Sequence, residues 1–571
     1  MVILGIGGFS HDSAAALVVD GRLVAAVAEE RLTRVKHQGG IPRRAVDYCL
    51  ETAGLTPDDV DHIGAYMRPF MRLGRRFPYR FAQMLRSPSY SAAFMAYELG
   101  HNARYVQGMR SLRGRKTKLY FMEHHPAHAA SAFLVSPFDE AALLTVDYIG
   151  EFAATWAGVG EGTRLRRLRQ EHYPNSLGVF YSAMTDYLGF LRASDEYKVM
   201  GLASYGEPEY YDDFREIVRD RGDGWYDIDR SWTAWHYLPG SRCGYFSRKF
   251  LDRFGPARKR GEPIETRHQN LAASAQKVLE ESVLNIAGWL HGRTGLTRLA
   301  MAGGVALNCS MNGRLLRESP FEEIFVQPAA GDDGIAIGAA LQLYHGLTGK
   351  PRGDALAHVY LGPEHGDAAI RRFLDMAKLP YERAENVEER TAELLAEGKI
   401  VGWYQGRMEF GPRALGSRSI LADPTRPDMK DLLNKYVKHR EDFRPFAPSV
   451  LEEHAADYFT GCTRSPYMLF VHPVETHQRE RVPAITHIDG TARVQTVSKA
   501  SNPRYHALIG AFARRRGVPM VLNTSFNVMG EPIVNTPEDA VRCFYSTGLD
   551  ALVMGDYVLL KEPPAAPADE C

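Results

Sequence analysis

Cysteine is scarce and scattered. Six cysteines (Cys49, Cys243, Cys309, Cys462, Cys543, Cys571) occur in 571 residues with no C-x-x-C pair. That excludes a zinc ribbon and a dense disulfide framework and fits a reducing compartment. Net charge is missing too, since 69 lysines and arginines balance 69 aspartates and glutamates. No global field draws such a chain to nucleic acid or to an acidic membrane, so the expected partner is small. No apolar run approaches the roughly 18 residues of a membrane span, and the opening MVILGIGGFSHD has no basic flank of the signal-peptide kind. The expectation is a cytoplasmic protein with no membrane and no nucleic acid partner.

What is present is ordinary globular material, 45% apolar and 24% charged, in quantity. A single core stops growing at about 250 to 300 residues, so at least two domains are expected. The turn-rich segment 344–354 (YHGLTGKPRGD) marks the boundary, giving domains at 1–350 and 355–571. The tail from Glu562 is rich in Pro and Ala and reads as frayed.

Three strands open the chain, at 2–8, 14–19 and 23–29, the last two joined by the hairpin signal Asp20-Gly21. A further strand at 141–147 ends in Asp147, and a third unit runs MAGGVALN to Asn308, with helix at 272–291 between. Strand ends carrying Gly and Asp beside helices, met twice, suggest an α/β fold with two related halves around a nucleotide cleft. In the second domain an amphipathic helix is expected at 387–398 and a strand at 400–404.

The sharpest local signal is EHHPAHAASAF from Glu123. His124 and His128 stand four apart, which on a helix puts both imidazoles on one face in position to share a metal ion. Pro126 is tolerated in a helix's first turn, so His124 belongs at the helix start. Asp147, with Asp332 or Asp333 of GDDG, would complete a transition-metal shell of two imidazoles and two carboxylates. The plainer role for a strand-end Asp is a turn or helix cap. His11, in the loop after the first strand, has the ordinary imidazole basicity that suits a general base. Glycine-rich GGVALN (Gly303, Gly304, Asn308) and GDDG (Asp333, Gly334) let backbone amides approach a nucleotide.

In the second domain Arg413, Arg418, Lys438, Arg440 and Arg444 gather among Gly, Pro and Phe. Buried guanidinium without an anion is costly and its planar fork matches phosphate oxygens, so a phosphate-bearing ligand is implied. Arg493 in DGTARVQTV and Asn523 in NTSFN are candidates to complete the pocket. The competing role is ion pairing with Glu409 and Asp442. The Arg-rich stretch 68–118 reads as solvated helix faces or as an anion-attracting rim. Trp225, Tyr226, Trp232, Trp235 and Tyr237 read as packing before recognition.

At these residues the sequence resembles the NodU/CmcH-type O-carbamoyltransferases of nodulation-factor and antibiotic biosynthesis. The likeness runs through HDSAAALVVDG, EERLTRVKH, EHHPAHAASAF, KVMGLASYG, GGVALN, GDDG, EFGPRALGSRSIL, REDFRPFAPSV, DGTARVQTV and NTSFN, nearly the whole chain. The resemblance implies an N-terminal actin-like (ASKHA) ATPase-type domain similar to the tRNA threonylcarbamoyl transferase subunit, and a C-terminal YrdC-like α/β domain. It implies two steps. The carbamate oxygen of carbamoyl phosphate attacks the α-phosphate of ATP, giving carbamoyl-adenylate and pyrophosphate. A hydroxyl of a small acceptor then takes the carbamoyl group in the N-terminal domain. Carried over, His124, His128, Asp147 and Asp332 hold a divalent metal, iron(II) in the family, with Mg2+ accompanying ATP. His11 is the base, and Arg413, Lys438, Arg444, Arg493 and Asn523 bind carbamoyl phosphate. One departure is Asp147-Tyr148-Ile149-Gly150-Glu151, where the family has Asp-Gly-x-Gly-Glu. A Tyr there would narrow the space for nucleotide phosphates or reshape it for an unusual acceptor.

The shared fold types leave threonylcarbamoyl-type tRNA modification as an alternative, which the neutral charge disfavours. Hydrogenase-maturation carbamoyl transfer would require zinc-finger cysteine pairs. A non-catalytic nucleotide-binding scaffold is the reading from outside enzymology. The acceptor's identity, and whether the protein is a monomer or a homodimer, are not written in the sequence.

Overall fold

The computed structural model describes residues 1–71, 88–235 and 244–561, and the frayed-tail expectation from Glu562, with Tyr237 and part of the 68–118 stretch, lies outside them. The chain separates into two compact units, one of Met1–Thr33 with His37–Ala357 and one of Arg34–Lys36 with His358 onward. The segment expected to be a linker begins later than its turn residues suggest. Tyr344 to Thr348 form the last turns of the helix Ile335–Thr348, and Gly349 in the left-handed conformation ends it.

In the first unit β1 (Val2–Gly7), β2 (Ala14–Val19) and β3 (Arg22–Ala28) form an antiparallel meander, and Asp20 and Gly21, both at positive φ, make the expected turn. To it β4 (His62–Tyr66) and β5 (Lys118–Met122) are added in parallel, in the order β3-β2-β1-β4-β5. A second sheet starts with a longer meander, β6 (Glu140–Gly150), β7 (Ala153–Glu161) and β8 (Arg164–His172). After the small hairpin of β9 (Val218–Asp220) and β10 (Tyr226–Ile228), β11 (Arg298–Ala302) and β12 (Glu323–Val326) join β6 in parallel. Read as β8-β7-β6-β11-β12, this sheet has the same order and strand senses as the first. Between β10 and β11 lies the long helix Thr266–Thr294, which overruns the expected 272–291 at both ends.

The helix Ile335–Thr348 packs against β1 and against the helix His124–Phe133. Its apolar residues are almost all buried, from Ile335 to Tyr344, because it is enclosed on several sides. The approach of the two helices is set by Gly338. A Cβ there would fall inside the van der Waals envelope of the Ala127 carbonyl oxygen. Trp225, Tyr226, Trp232 and Trp235 are buried, the packing role expected for them.

The second unit carries an eight-stranded mixed sheet, β13 (Glu382–Arg383), β14 (Val401–Tyr404), β15 (Arg418–Ala422), β16 (Ala447–Leu451), β19 (Gln495–Val497), β20 (Met520–Ser525), β21 (Ala551–Met554) and β22 (Tyr557–Leu560). Its order is β13-β22-β21-β14-β15-β20-β16-β19. A separate ribbon pairs β17 (Val471–Pro473) with β18 (Thr491–Arg493). The helices Val387–Ala396 and Pro503–Arg516 cover one face over Trp403, Leu421, Val521 and Val553, while Ile420, Val450, Leu522 and Leu552 face the other core.

Gly338→Ala is expected to destabilise the first unit by about 1 to 3 kcal/mol, the usual result of overpacking a filled interior. A fall in the urea midpoint of its unfolding would register this, and an unchanged midpoint would contradict the close helix contact.

Candidate metal and transfer site

The helix His124–Phe133 starts directly after β5, with Glu123 as its N-cap and Pro126 in its first turn. His124 and His128 therefore share a face. Asp147 sits near the end of β6, and Asp332 lies in the turn ahead of the helix Ile335–Thr348. The four come from three separate stretches, and their ligand atoms lie within 4.8 Å of one another. His124 Nε2 is 2.8 Å from Asp147 Oδ2, and His128 Nε2 is 3.4 Å from that same oxygen. Asp332 Oδ1 is 3.6 Å from each Nε2. All four residues are buried.

The cluster is braced from outside. Asp147 Oδ1 accepts the Gly304 N–H at 3.0 Å. Glu151, itself buried, accepts the N–H of His124 at 3.2 Å and that of Arg68 at 2.9 Å, so it covers the first turn of the His124 helix. Gly150 leaves room for the His124 ring, because a Cβ there would collide with it. The sequence assigns Glu151 and Gly150 no part at the ligands, and it reads the Gly304 amide as facing a nucleotide where the structure has it donating to Asp147. Their contacts are long-range, and Glu151 differs from any surface glutamate only by its place in the quoted Asp-Gly-x-Gly-Glu motif.

The field at the site is strong. Burial would raise the Asp147 carboxyl, but the hydrogen bond from His124 and the nearness of both imidazoles outweigh it and hold the group well below the usual carboxylate range. Burial lowers His128 while Asp147 and Asp332 outweigh it, bringing the imidazole to about 9. Neither ring nitrogen of His128 has a hydrogen-bond partner. Asp333, which the sequence left open beside Asp332, takes another role: its Oδ1 accepts the Gly334 N–H at 3.0 Å, and burial first, then Asp12, lifts its carboxyl to about 7.

His11 lies in the loop after β1, its Nδ1 at 3.0 Å from Asp12 Oδ2. Burial lowers this ring, while the bond to Asp12 and the charges of Asp332 and Asp147 raise it more, to about 10. The side chain is 45% exposed, so water screens part of that field.

The glycine-rich loops do more internal work than the sequence suggests. Gly303, at φ +93°, donates its N–H to Ala330 O at 2.8 Å, and Asn308 caps the helix Cys309–Glu318 while exchanging hydrogen bonds with Gln276. Tyr148 is 37% exposed, whereas its neighbour Asp147 is buried.

In the second unit the basic residues divide. Arg418 is completely buried, donates to the carbonyls of Gln405, Ser417, Pro363 and Gly406 at 2.9 to 3.2 Å, and lies 3.7 Å over the Tyr404 ring. Arg440 reaches Asn434 Oδ1 at 2.7 Å and Pro445 O at 3.3 Å. These two hold the fold. Glu409 does not pair with an arginine side chain; its Oε1 accepts the N–H groups of Leu415 and Ser417 at 2.7 Å and so shapes the loop that bears Arg413. Asn523 steadies that loop too, its Nδ2 donating to Ala414 O at 3.2 Å, Ser449 Oγ at 2.9 Å and Gln495 Oε1 at 3.0 Å, while its Oδ1 has no partner.

Lys438 is buried, with Nζ donating to Ser525 O and, at 3.0 Å, to Asn527 O and Oδ1. Burial, then Arg440 and Arg444, holds its ammonium well below the usual lysine value. Arg444 is partly buried, 3.9 Å from Glu441, and Arg493 ends β18.

Two strand-and-helix units, one with a buried His/Asp cluster and one with basic residues beside a rigid loop, define a class. The sequence matches the family model described as Carbamoyltransferase N-terminus over residues 2–341 and that described as Carbamoyltransferase C-terminus over residues 392–561. The chain belongs to the carbamoyltransferase family. It is 42% identical to the nodulation protein NolNO of Sinorhizobium fredii over 585 residues, covering 98% of this chain and 80% of that protein. It is 44% identical to the uncharacterized protein sll1178 of Synechocystis over 599 residues, covering 98% and 96%. With the 3'-hydroxymethylcephem-O-carbamoyltransferase of Streptomyces clavuligerus it shares 30% identity over 561 residues, 96% of each chain. Among solved structures, component A of the Acidaminococcus fermentans (R)-2-hydroxyglutaryl-CoA dehydratase overlays with a TM-score of 0.33 at 15% identity, over 61% of this chain and 98% of that one.

Arg418→Lys leaves at least one of four buried carbonyls without its donor. A loss of about 2 to 4 kcal/mol is expected, read as a lower urea midpoint of the second unit.

Proposed function

We propose that the protein is an ATP-dependent O-carbamoyltransferase that places a carbamoyl group on a hydroxyl of a small natural product, and that it works in the cytoplasm. The observation that carries this reading is the convergence of His124, His128, Asp147 and Asp332, in a chain whose family is carbamoyltransferase. The printed name of the cephem relative, an O-carbamoyltransferase acting on a hydroxymethyl group, supports a hydroxyl acceptor.

The equal strand orders of the two sheets in the first unit support duplicated halves of the actin-like kind, and the second unit is read as YrdC-like. In that second unit Arg413, Lys438, Arg444 and Arg493 neutralise the phosphate of carbamoyl phosphate, with Asn523 fixing the loop of Arg413 and offering its unpartnered Oδ1. Water releases inorganic phosphate from the donor. The carbamate left behind attacks the α-phosphate of ATP, expelling pyrophosphate and forming carbamoyl-adenylate.

In the first unit the donor set fits a divalent transition ion. Two imidazoles and two carboxylates are buried together, and His128 Nε2 has no hydrogen-bond partner to lose. Iron(II) follows the family resemblance. Such an ion would polarise the leaving phosphate and offset the pull of Asp147 and Asp332 on His11. His11 then takes the proton of the attacking hydroxyl at Nε2, Gly304 and Glu151 keep the ligands in register, and the Gly303, Gly304 and Gly334 backbone with Asn308 and Asp333 borders the nucleotide.

Purified protein given carbamoyl phosphate and ATP should release pyrophosphate. In His124→Ala that release should persist within a few-fold, while transfer of labelled carbamoyl to a panel of hydroxylated metabolites, read by mass spectrometry, falls at least 100-fold. Equal loss of both steps would contradict the division of labour. Arg444→Ala should raise the KM for carbamoyl phosphate about tenfold or more, as expected for one charge-assisted hydrogen bond, and unchanged saturation would remove Arg444 from the donor site.

A further inference from the structure

Beside the His/Asp cluster lies a second group of titratable side chains, of which only His11 has been given a role. His11 Nδ1 is 3.0 Å from Asp12 Oδ2, and Asp12 Oδ1 is 2.8 Å from His37 Nδ1. His37 Nε2 is in turn 2.9 Å from Ser194 Oγ. Four side chains from three loops thus form one chain of hydrogen bonds ending at His11.

The loops that carry it are stitched together. Ser13 N–H and Oγ–H both donate to Gln38 O at 2.9 Å, and Gly40 N–H donates to Phe9 O at 2.8 Å. The His37 N–H donates to Glu30 Oε2 at 2.8 Å, while Glu30 Oε1 pairs with Arg31 at 2.7 Å. Asp12 and His37 are both held at positive φ, +51° and +56°, a conformation non-glycine residues keep only where their surroundings impose it.

Asp12, Glu30 and His37 also lie within ligand distance of a common point. A cation there would have to displace Arg31 from Glu30 and break both bonds at His37, so the group is self-satisfied.

The proton positions follow from the donors available. Burial would raise the Asp12 carboxyl, but the hydrogen bonds from His11 and His37 outweigh it and keep the group ionised, well below the usual range. An ionised carboxylate has lone pairs and nothing to donate. Both imidazoles must therefore carry hydrogen on Nδ1. In the neutral form of each ring that leaves Nε2 without hydrogen, so that His37 Nε2 accepts from the Ser194 hydroxyl and His11 presents its Nε2 lone pair. We infer that Asp12 and His37 are positioning residues, which hold the His11 imidazole in the one tautomer and orientation that can accept a proton at Nε2.

The inference rests on the reading of His11 as base. In the step it serves, the acceptor oxygen bonds to the carbamoyl carbon, and the bond from that carbon to the adenylate oxygen breaks with its electron pair leaving on AMP. The hydroxyl proton goes to His11 Nε2 and afterwards to water. Asp12 stays ionised throughout, its charge favouring the imidazolium as it forms.

Nitrogen-15 spectra of histidine-labelled full-length protein test this, with the His11 signals assigned by their absence in His11→Gln. Above the pH at which the ring becomes neutral, the wild type should show His11 as the Nδ1–H tautomer alone. In Asp12→Asn at least half should convert to Nε2–H, and pyrophosphate release should stay within about twofold. Transfer in that variant should fall 100-fold or more, with the acceptor KM little changed. His37→Gln should give a smaller tautomer shift in the same sense, and it carries the test if Asp12→Asn does not fold. An Nε2–H tautomer in the wild type, or an unchanged tautomer in both variants, overturns the inference. Full transfer by His11→Gln would instead sink the base assignment while leaving the tautomer result standing, so the two failures are told apart.

Discussion

Two carboxylates, Asp147 and Asp332, are buried within reach of each other, and like charges so placed repel strongly where water cannot screen them. Much of the first unit can be read as the answer to that repulsion. Two imidazoles are brought against them by a helix whose first turn is covered by Glu151, and a backbone N–H from Gly304 meets one oxygen. The close approach at Gly338 places that helix. A site built from such mutual compensation has little tolerance for displacement, because the shifts of Asp147 and His128 both depend on their neighbours in the cluster.

The second unit solves the opposite problem, an excess of cations. Arg418, through both terminal nitrogens, and Arg440 donate to carbonyl oxygens and lie over aromatic rings. Lys438 donates to neutral oxygens of Ser525 and Asn527, and burial beside Arg440 and Arg444 disfavours its charged form. A phosphate ligand would favour it.

Much of this was legible in the sequence. The Asp20-Gly21 turn between two apolar stretches located the opening hairpin, and the four-residue spacing of His124 and His128 pointed to a shared helical face. Strand-end Asp147 could be recognised by its position. The choice between Asp332 and Asp333 could not, because adjacent residues in a turn point apart in a way that composition does not encode. Nor could sequence separate Arg418 from Arg413, since the carbonyls that engage Arg418 come from residues up to 55 positions away. The eleven residues 344–354 read as a loop although the first five close a helix, because a helix end capped by Gly349 looks, locally, like the start of a loop.

In β6 Asp147 is buried and the next residue, Tyr148, is 37% exposed, where the register of the strand shifts between Val146 and Gly150. The position at which this chain departs from the resembled Asp-Gly-x-Gly-Glu pattern is thus reached by solvent one residue from the His/Asp cluster. A change of side chain there alters exposed surface and removes none of the four converging groups.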